Sequence, residues 1–278
     1  MNDVTNSLKR NVQRIANDAA EIPPLRWLAE PIYRRRFERG MSRGNAYYGV
    51  HASFEAAQAA APRTKPTSFD VPAAGELYPD RVDAISVSDY PPLFWLDRLL
   101  ASGARSVFDL GGNVGLGYYA FGHYVAYPDD LRWTVQDLPS VLDAGRRLAL
   151  QRGAGARLAF TDDALAADGH DIVLANGVLQ YLPFTLPELL RQLPRPPAHL
   201  LVNLTPLHPT RSFFTLQQTR IATCPYRIPA VADFVAGFEA LGYDVIDRWE
   251  SRERYMRIPF EAAHSIDRYS GFYFRSRG

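Results

Sequence analysis

The sequence predicts an α/β fold, in which helices wrap a parallel sheet, preceded by a helical N-terminal extension. Two observations carry this prediction: from Pro91 onward short apolar runs alternate with helical stretches, and the strand-helix unit recurs at least four times. The first part of the chain differs, because its basic helical stretches are separated by prolines and by a Pro- and Ala-rich connection. We therefore divide the chain into an extension or lid over residues 1–88 and a main domain over residues 89–278.

The predicted elements follow from the local patterns of apolar residues. In the extension, helices are predicted at 8–15 and 25–39. In the main domain, strands are predicted at 106–110, 132–138, 157–160, 171–175, 199–204, 243–249 and 272–274. Helices are predicted at 114–126, 139–151 and 232–241, and Thr185 and Glu188 have capping-box spacing ahead of one more. Residues 205–229 are predicted to be irregular.

Composition excludes several classes of protein. Of the 278 residues, 47% are hydrophobic and 22% charged, which is typical of a soluble globular chain. The net charge of +1 lacks the basic excess of proteins that bind nucleic acid through its phosphates. The polar N-terminus and the absence of long apolar runs predict a cytoplasmic protein that does not bind membranes. We expect a small-molecule partner, and a homodimer stays open.

Metal and disulfide chemistry are not predicted. Cys224 is the only cysteine, so it has no second thiol with which to form a disulfide or a cysteine metal site. The six histidines are scattered, and no two have the helical i, i+4 spacing of metal ligands. We therefore predict no metal site.

A glycine-rich stretch joins the first predicted strand of the main domain to the helix that follows. It begins at Asp109 and continues through Gly111, Gly112, Asn113 and Gly115. Glycines at such a junction let the backbone turn tightly and approach a ligand closely. The stretch therefore predicts a ligand pocket.

Two ligands remain open for this pocket. The spacing of Gly115, Gly117 and Ala120 matches the dinucleotide fingerprint, but Gly115 lies five residues beyond the end of the strand. If the loop begins at Asp109, its carboxylate repels phosphate and suits a cationic amino-acid head group, as in S-adenosylmethionine. Asp137, which closes the second strand, suits the ribose hydroxyls of either cofactor.

Polar residues also follow the next two strands. Asp162 and Asp163 close the third strand, where a carboxylate could meet an adenine amino group, and Asn176 and Gly177 close the fourth. The carboxyl ends of parallel strands meet at one edge of the sheet, where open α/β folds bind ligands. We therefore expect these residues to share one cleft with the glycine-rich loop.

The ordered set of motifs resembles the class I S-adenosylmethionine-dependent methyltransferases, with an arrangement similar to their O-methyltransferase branch. The residues that carry the resemblance are Asp109-Leu-Gly-Gly with Gly115, Gln136-Asp137-Leu-Pro-Ser-Val141 and Asp171-Ile-Val-Leu-Ala-Asn176-Gly-Val-Leu-Gln180-Tyr181. Further motifs, from Tyr48-Gly-Val to Tyr269-Ser-Gly, resemble a small bacterial methyltransferase family of undefined substrate, over roughly residues 45 to 275.

This resemblance implies a seven-stranded Rossmann-like sheet with an antiparallel last strand, and methyl transfer from S-adenosylmethionine. It implies Asp109 and Gly111 at the methionyl end, Asp137 on the ribose and Asp162 or Asp163 at the adenine. The full set expected to line the cofactor site is Asp109, Gly111, Gly112, Asn113, Gly115, Asp137, Leu138, Asp162, Asp163, Asn176 and Gly177.

The expected catalytic group departs from the O-methyltransferase pattern. That branch places a histidine base after the fourth strand, where this chain has Gln180, and an amide cannot take a proton near neutral pH. His208, just past the fifth strand, is the remaining candidate base, with Gln180 and Tyr181 beside the acceptor. The residues expected to contact the acceptor are Tyr48, Tyr90, Gln217 and Tyr226.

The predicted function is O-methylation of a small-molecule or saccharide acceptor. Two alternatives stay open at this point. The first is an NAD(P)-dependent oxidoreductase, which the spacing of Gly115 and Gly117 favours. The second is a cofactor-binding module without catalysis, which the absence of a clear base favours.

Overall fold

The computed structural model describes residues 25–41, 44–76 and 81–278. The helix predicted at 8–15 lies outside these residues. The described strands are β1 (Ala46–His51), β2 (Ser106–Leu110), β3 (Arg132–Gln136), β4 (Leu158–Thr161), β5 (Ile172–Asn176), β6 (His199–Thr205), β7 (Phe213–Gln218), β8 (Thr223–Ile228), β9 (Tyr243–Ser251) and β10 (Tyr269–Ser276). The described α-helices are α1 (Leu25–Glu38), α2 (Phe54–Ala60), α3 (Tyr90–Ala101), α4 (Leu116–Gly122), α5 (Pro139–Gln151), α6 (Leu186–Leu190) and α7 (Val231–Glu239).

Seven strands form the main sheet, in the order β4-β3-β2-β5-β6-β10-β9. Neighbouring strands from β4 to β6 run parallel, whereas β10 pairs antiparallel with both β6 and β9. A classical dinucleotide-binding sheet is instead built from six parallel strands. The α/β class and the seven-stranded sheet with an antiparallel last strand are therefore confirmed.

Alternating side chains of the central strands build two apolar layers, one on each face of the sheet. On β2, Val107 joins the layer that contains Trp133 and Leu174, while Phe108 and Leu110 join the other layer. Residues of α3, α4 and α5 complete the first layer, and residues of α6 and α7 complete the second. Burial on both faces explains why these strands are short, continuous apolar runs in the sequence.

A second sheet of three antiparallel strands, in the order β1-β7-β8, lies where irregular chain was predicted. The prediction for residues 205–229 is therefore wrong. Pro225 lies within β8 and breaks the ordinary strand pattern, and proline is tolerated there because β8 is an edge strand. Five of the six residues of β7 are buried, so its sequence lacks the alternation of a half-exposed strand.

The N-terminal extension contributes more than helices. Its helix at 25–39 is confirmed as α1, but β1 was not predicted. Because β1 pairs with β7, the extension and the predicted main domain share a sheet. A buried hydrogen bond of 2.8 Å from Gln218 Nε2 to the Phe37 carbonyl also fixes α1 to this sheet.

No helix among residues 25–41, 44–76 and 81–278 combines the length and apolar composition needed to cross a membrane. In the same residues, no group of three or more His, Cys, Asp or Glu side chains could hold a metal ion.

Candidate functional site

The glycine-rich loop lies at the point where the sheet reverses its winding. From β2 the chain passes through α4 to β3 on one side, whereas β5 on the other side leads through α6 to β6. Such a switch point leaves a crevice at the carboxyl ends of the strands, where open α/β sheets bind ligands.

The backbone of the loop requires its glycines. Gly111 has φ +67° and Gly115 has φ +92°, a region that residues with a Cβ rarely adopt. A Cβ on Gly111 would overlap the side chain of Val178, which follows β5. Asn113 also has a positive φ, of 56°, and its Oδ1 accepts the amide of Val114 at 2.9 Å. The loop therefore packs tightly against the turn after β5.

All six amide groups from Gly111 to Leu116 donate to oxygens of the protein. Their acceptors lie at 2.8 to 3.3 Å and are the Gln136 carbonyl for Gly111 and Gly112, Asp137 Oδ2 for Asn113, Asn113 Oδ1 for Val114, and the Gly112 carbonyl for Gly115 and Leu116. A pyrophosphate site at a helix N-terminus needs such amides for the phosphate oxygens. All six amides already donate hydrogen bonds within the protein, so the loop does not offer them to an anion.

Asp109 lies beneath the loop and not in the cleft. Its side chain is only 2% exposed and touches Gly112 and Gly117, and its Oδ2 accepts Trp133 Nε1–H at 3.2 Å. Burial raises the pKa of this carboxyl to about 7, since an ionised carboxylate loses its water there. The side chain of Asp109 therefore supports the loop from below.

The raised pKa of Asp109 predicts a pH dependence of stability. Between about pH 4 and pH 7 the folded chain holds a proton that the unfolded chain has lost, so its stability falls as pH rises through this window. Relative to Asp109→Asn, which cannot titrate, the wild-type free energy of unfolding should fall by up to about 1.4 kcal/mol per pH unit. Urea unfolding of both proteins at pH 5, 6, 7 and 8 measures this difference. Parallel pH profiles would contradict it.

Asp137 stands at the end of β3 and joins the loop to α5. Its Oδ2 accepts the Asn113 amide and its Oδ1 accepts the Leu138 amide, both at 2.8 Å. Burial raises the pKa of this carboxyl, while the two amide bonds oppose the shift. Each carboxylate oxygen has two lone pairs, so one on each remains for a ligand that donates hydrogen bonds. Asp137 and the loop are therefore brought together as expected, and Leu138 contributes its amide to the same arrangement.

The two acidic residues after β4 have different roles. Asp163 caps the 3₁₀ turn Ala164–Ala167, because its Oδ1 accepts the Leu165 amide at 2.8 Å. Asp162 is exposed at the end of the same strand. Of the pair, Asp162 is therefore the better candidate for a ligand contact.

A buried polar network, which was not predicted, fixes the end of β5. The Asp89 carboxylate, 1% exposed, accepts hydrogen bonds from Arg81 Nη2 at 2.6 Å, the Ser86 amide at 2.8 Å and Asn176 Nδ2 at 3.0 Å. The other end of the Asn176 amide accepts Asn203 Nδ2 at 3.1 Å. The side chain of Asn176 is thus held by the network at the end of β5.

Residues of the extension cover the cleft. Asp70 Oδ1 accepts the amide of Ser140, three residues beyond Asp137, at 3.1 Å. The Ala74 carbonyl accepts Asn113 Nδ2 at 3.4 Å, and the Phe69 ring meets the Tyr181 ring edge-on with centroids 5.2 Å apart. The segment 69–74 therefore spans from the loop to the residues after β5.

Two of the four expected acceptor residues, Gln217 and Tyr226, meet Tyr181 in a buried aromatic cluster. Tyr181 donates to Gln217 Oε1 at 2.7 Å, Gln217 Nε2 donates to the Tyr47 hydroxyl at 2.8 Å, and the Tyr181 and Tyr226 rings lie 5.1 Å apart. The Tyr226 hydroxyl pairs with that of Tyr269 at 2.7 Å. Gln217 and Tyr226 are 2% and 1% exposed, so they form a wall behind the cleft and not its surface.

The other two expected acceptor residues lie elsewhere. Tyr48 follows Tyr47 along β1 and packs against Phe37 of α1, with ring centroids 5.4 Å apart, so it does not join the aromatic cluster. This is a correction, and alternation along a strand is its reason. Tyr90 begins α3 next to Asp89 and is 55% exposed, so it remains a candidate.

His208 does not have a nitrogen available for a substrate proton. Its Nδ1 accepts the amides of Thr210 and Arg211 at 3.1 and 3.0 Å, and its Nε2 donates to the Ala263 carbonyl at 3.0 Å. Burial lowers the pKa of this imidazole. The ring thus holds two loops together as a neutral side chain, and its expected role as general base is corrected.

Gln180 is buried next to the cleft, with 4% exposure. Its Nε2 donates to the Gly177 carbonyl at 2.7 Å, in the turn that packs on Gly111 through Val178. Its Oε1 has no hydrogen-bond partner among the described residues.

Comparison with known proteins gives likenesses of structure only, since no protein-family model and no curated protein matches the chain. One similar structure is the Burkholderia thailandensis 1,6-didemethyltoxoflavin-N1-methyltransferase with bound 1,6-didemethyltoxoflavin and S-adenosylhomocysteine. It is 17% identical, with a TM-score of 0.44 over 67% of this chain and 77% of that one. The mitomycin 7-O-methyltransferase is 20% identical, with a TM-score of 0.45 over 94% and 71% of the two chains. A glycopeptide N-methyltransferase complexed with S-adenosylmethionine is 13% identical, with a TM-score of 0.46 over 70% and 97%.

Proposed function

We propose that the chain is an S-adenosylmethionine-dependent methyltransferase that acts on an oxygen atom of a small-molecule acceptor. The observation that carries the proposal is the chemistry of the loop: its amides are used, while Asp137 presents free lone pairs beside it. A cleft of this kind favours a ligand that donates hydrogen bonds and carries no phosphate. S-adenosylmethionine, a cation with a ribose and an amino group, has these properties.

The dinucleotide alternative is disfavoured by the same loop. A dinucleotide brings two negatively charged phosphates to the helix N-terminus. Here the helix begins after Gly115, whose amide is bonded to the Gly112 carbonyl, and the Asp109 carboxyl lies beneath. The sheet also carries the antiparallel strand β10, which the classical dinucleotide sheet lacks.

The residues of the cleft fit the proposed cofactor. Asp137 would accept the two ribose hydroxyls and Asp162 the adenine amino group. When bound, the cofactor would supply an electrophilic methyl carbon to the acceptor oxygen, and its sulfur would keep the electron pair of the broken carbon–sulfur bond. The acceptor would lose its proton to bulk water before it enters the cleft. The segment 69–74 would exclude water from the covered cleft.

The two candidate bases, Gln180 and His208, cannot take a proton from the acceptor, and this limits the kinds of acceptor that can react. Gln180 cannot take a proton, and both nitrogens of His208 are engaged in hydrogen bonds. An alcohol needs a base, whereas a phenol, with a pKa near 10, reacts through its ionised fraction. Positioning is then the main contribution of the protein, and we propose an acidic hydroxyl as the acceptor.

Incubating the protein with methyl-labelled S-adenosylmethionine and a lysate of its source organism tests this function. We expect label to enter a small molecule, which mass spectrometry identifies, and we expect Asp137→Ala to abolish the incorporation. Binding of S-adenosylhomocysteine without any transfer of label would instead support a binding module that lacks catalysis.

A further inference from the structure

A cavity of about 310 Å³ lies on the α6 and α7 side of the sheet, beyond the ends of β5 and β6. The β7-β8 hairpin closes it from above. Its wall is mainly apolar and includes Leu179, Leu186, Phe213, Ile228 and Phe234. This volume suits a small molecule, since ligand pockets begin at about 300 Å³.

Three polar atoms on residues that line this cavity have no hydrogen-bond partner within the described part of the chain. They are Gln180 Oε1, Thr205 Oγ1 and Arg227 Nε. Gln180 is 4% exposed and Thr205 2% exposed, so neither side chain is left to bulk water. A buried polar group without a hydrogen-bond partner destabilises the fold, so three such groups on the residues around one cavity favour a ligand that supplies the missing partners.

Arg227 gives the cavity a preference for an anion. Its Nη2 donates to the Leu182 and Pro183 carbonyls at 3.3 and 3.1 Å, and its guanidinium lies 5.1 Å from the Phe214 ring centroid. These contacts hold the guanidinium in place. No ion pair of Arg227 occurs among the described residues, and Glu188 and Glu55 act on its charge from beyond ion-pair distance.

The two acidic side chains that line the cavity accept hydrogen bonds from their neighbours and form no ion pair with Arg227 among the described residues. Glu188 accepts the Thr185 amide at 2.6 Å, in the capping box of α6, and Asp233 accepts the Ser212 hydroxyl at 2.6 Å. Arg227 Nε therefore remains to bind a carboxylate brought by the ligand.

Gln180 connects this cavity to the proposed cofactor cleft. One end of its amide donates to the Gly177 carbonyl, in the turn that packs against Gly111, and its other end is the unpartnered Oε1. A group bound at Oε1 must donate a hydrogen bond, as a hydroxyl does. A hydroxyl at this end would thus lie next to the cleft in which the methyl group is expected.

We propose that this cavity holds the methyl acceptor, an apolar carboxylic acid with a hydroxyl group, its carboxylate on Arg227 and its hydroxyl on Gln180. The identification as acceptor rests on the proposed function, whereas the binding itself does not. An aromatic ring between the two groups matches the apolar wall and supplies an acidic hydroxyl, which can react without a proton acceptor at Gln180 or His208.

Calorimetry with 4-hydroxyphenylacetate as the probe tests the proposal without turnover. We expect saturable binding of one molecule per chain, and binding at least about tenfold weaker for the neutral analogue 4-hydroxyphenylacetamide, since charge-assisted hydrogen bonds are worth about 1.5–3 kcal/mol. Phenylacetate, which has no hydroxyl for Gln180, should also bind more weakly. Equal binding of the acid and the amide would overturn the role of Arg227.

A matched pair of variants locates the binding site. Arg227→Gln should weaken binding of 4-hydroxyphenylacetate at least about tenfold, whereas Arg191→Gln, which removes the same charge at the exposed rim of the cavity, should change it less than about twofold. If Arg227→Gln is too unstable to measure, the comparison of the acid with the amide on the wild-type chain tests the role of Arg227.

Titration with S-adenosylhomocysteine in the same buffer tests the proposed function separately from the cavity proposal. Binding of S-adenosylhomocysteine without binding of the acid overturns the cavity proposal alone. Binding of the acid without S-adenosylhomocysteine overturns the proposed function and leaves the cavity as a ligand site.

Discussion

Replacing Asp137 with alanine is expected to weaken binding of S-adenosylhomocysteine by about 100-fold or more. The carboxylate would accept two ribose hydroxyls, and each hydrogen bond to a charged group is worth about 1.5–3 kcal/mol. The change also removes the acceptor of the Asn113 and Leu138 amides, which hold the loop against α5. Isothermal titration calorimetry measures the affinity.

Asp143→Ala is the control for this substitution. Asp143 lies on α5, a few residues after Asp137, but it is exposed and pairs only with Arg146, at 3.1 Å, among the described residues. Its removal should leave the affinity unchanged within about twofold, because exposed ion pairs contribute little. Unaltered affinity in Asp137→Ala would remove this carboxylate from the cofactor site.

Replacing Gly111 with alanine is expected to lower the free energy of unfolding by about 2–4 kcal/mol. About 1–2 kcal/mol comes from φ +67°, which disfavours a residue with a Cβ, and the rest from overlap with the side chain of Val178. The same overlap should push the loop away from the turn after β5 and reduce affinity for S-adenosylhomocysteine. Urea unfolding gives the first quantity and calorimetry the second.

Gly153→Ala separates the cost of a positive φ from the cost of overlap with Val178. Gly153 has φ +65°, close to that of Gly111, but a Cβ there would meet nothing within 4 Å. It should therefore cost only the backbone contribution, about 1–2 kcal/mol, and leave cofactor binding intact. Adding Val178→Ala to Gly111→Ala should recover part of the lost stability, since the two side chains interact. Equal losses for both glycines would contradict a close approach at Gly111.

The main sheet could be predicted from the sequence because its strands and helices can be recognised from their own residues. The run Ser106–Leu110 is buried along its whole length, and Pro139 at the first position of α5 starts that helix where predicted. The strand ends then follow from topology, so the sequence alone suffices to place Asp137 next to the loop.

Other parts of the site depend on contacts between distant segments. Strand β1 exists through its pairing with β7, about 170 residues away, and β7 lacks a strand pattern of its own. The role of His208 is set by the carbonyl of Ala263, and that of Asn176 by Asp89, neither of which is near in sequence. A residue type at a strand end therefore predicts a location, whereas its hydrogen-bond partners decide its role.

The central claim is that the loop between β2 and α4 receives S-adenosylmethionine and not a phosphate-bearing dinucleotide. Parallel calorimetric titrations of the wild-type chain with S-adenosylhomocysteine and with NADH test it most directly. The amides from Gly111 to Leu116 already donate to protein oxygens, whereas each Asp137 oxygen can accept one more hydrogen bond. We therefore expect binding of one S-adenosylhomocysteine per chain and no heat with NADH. Binding of NADH with no heat from S-adenosylhomocysteine would contradict the claim.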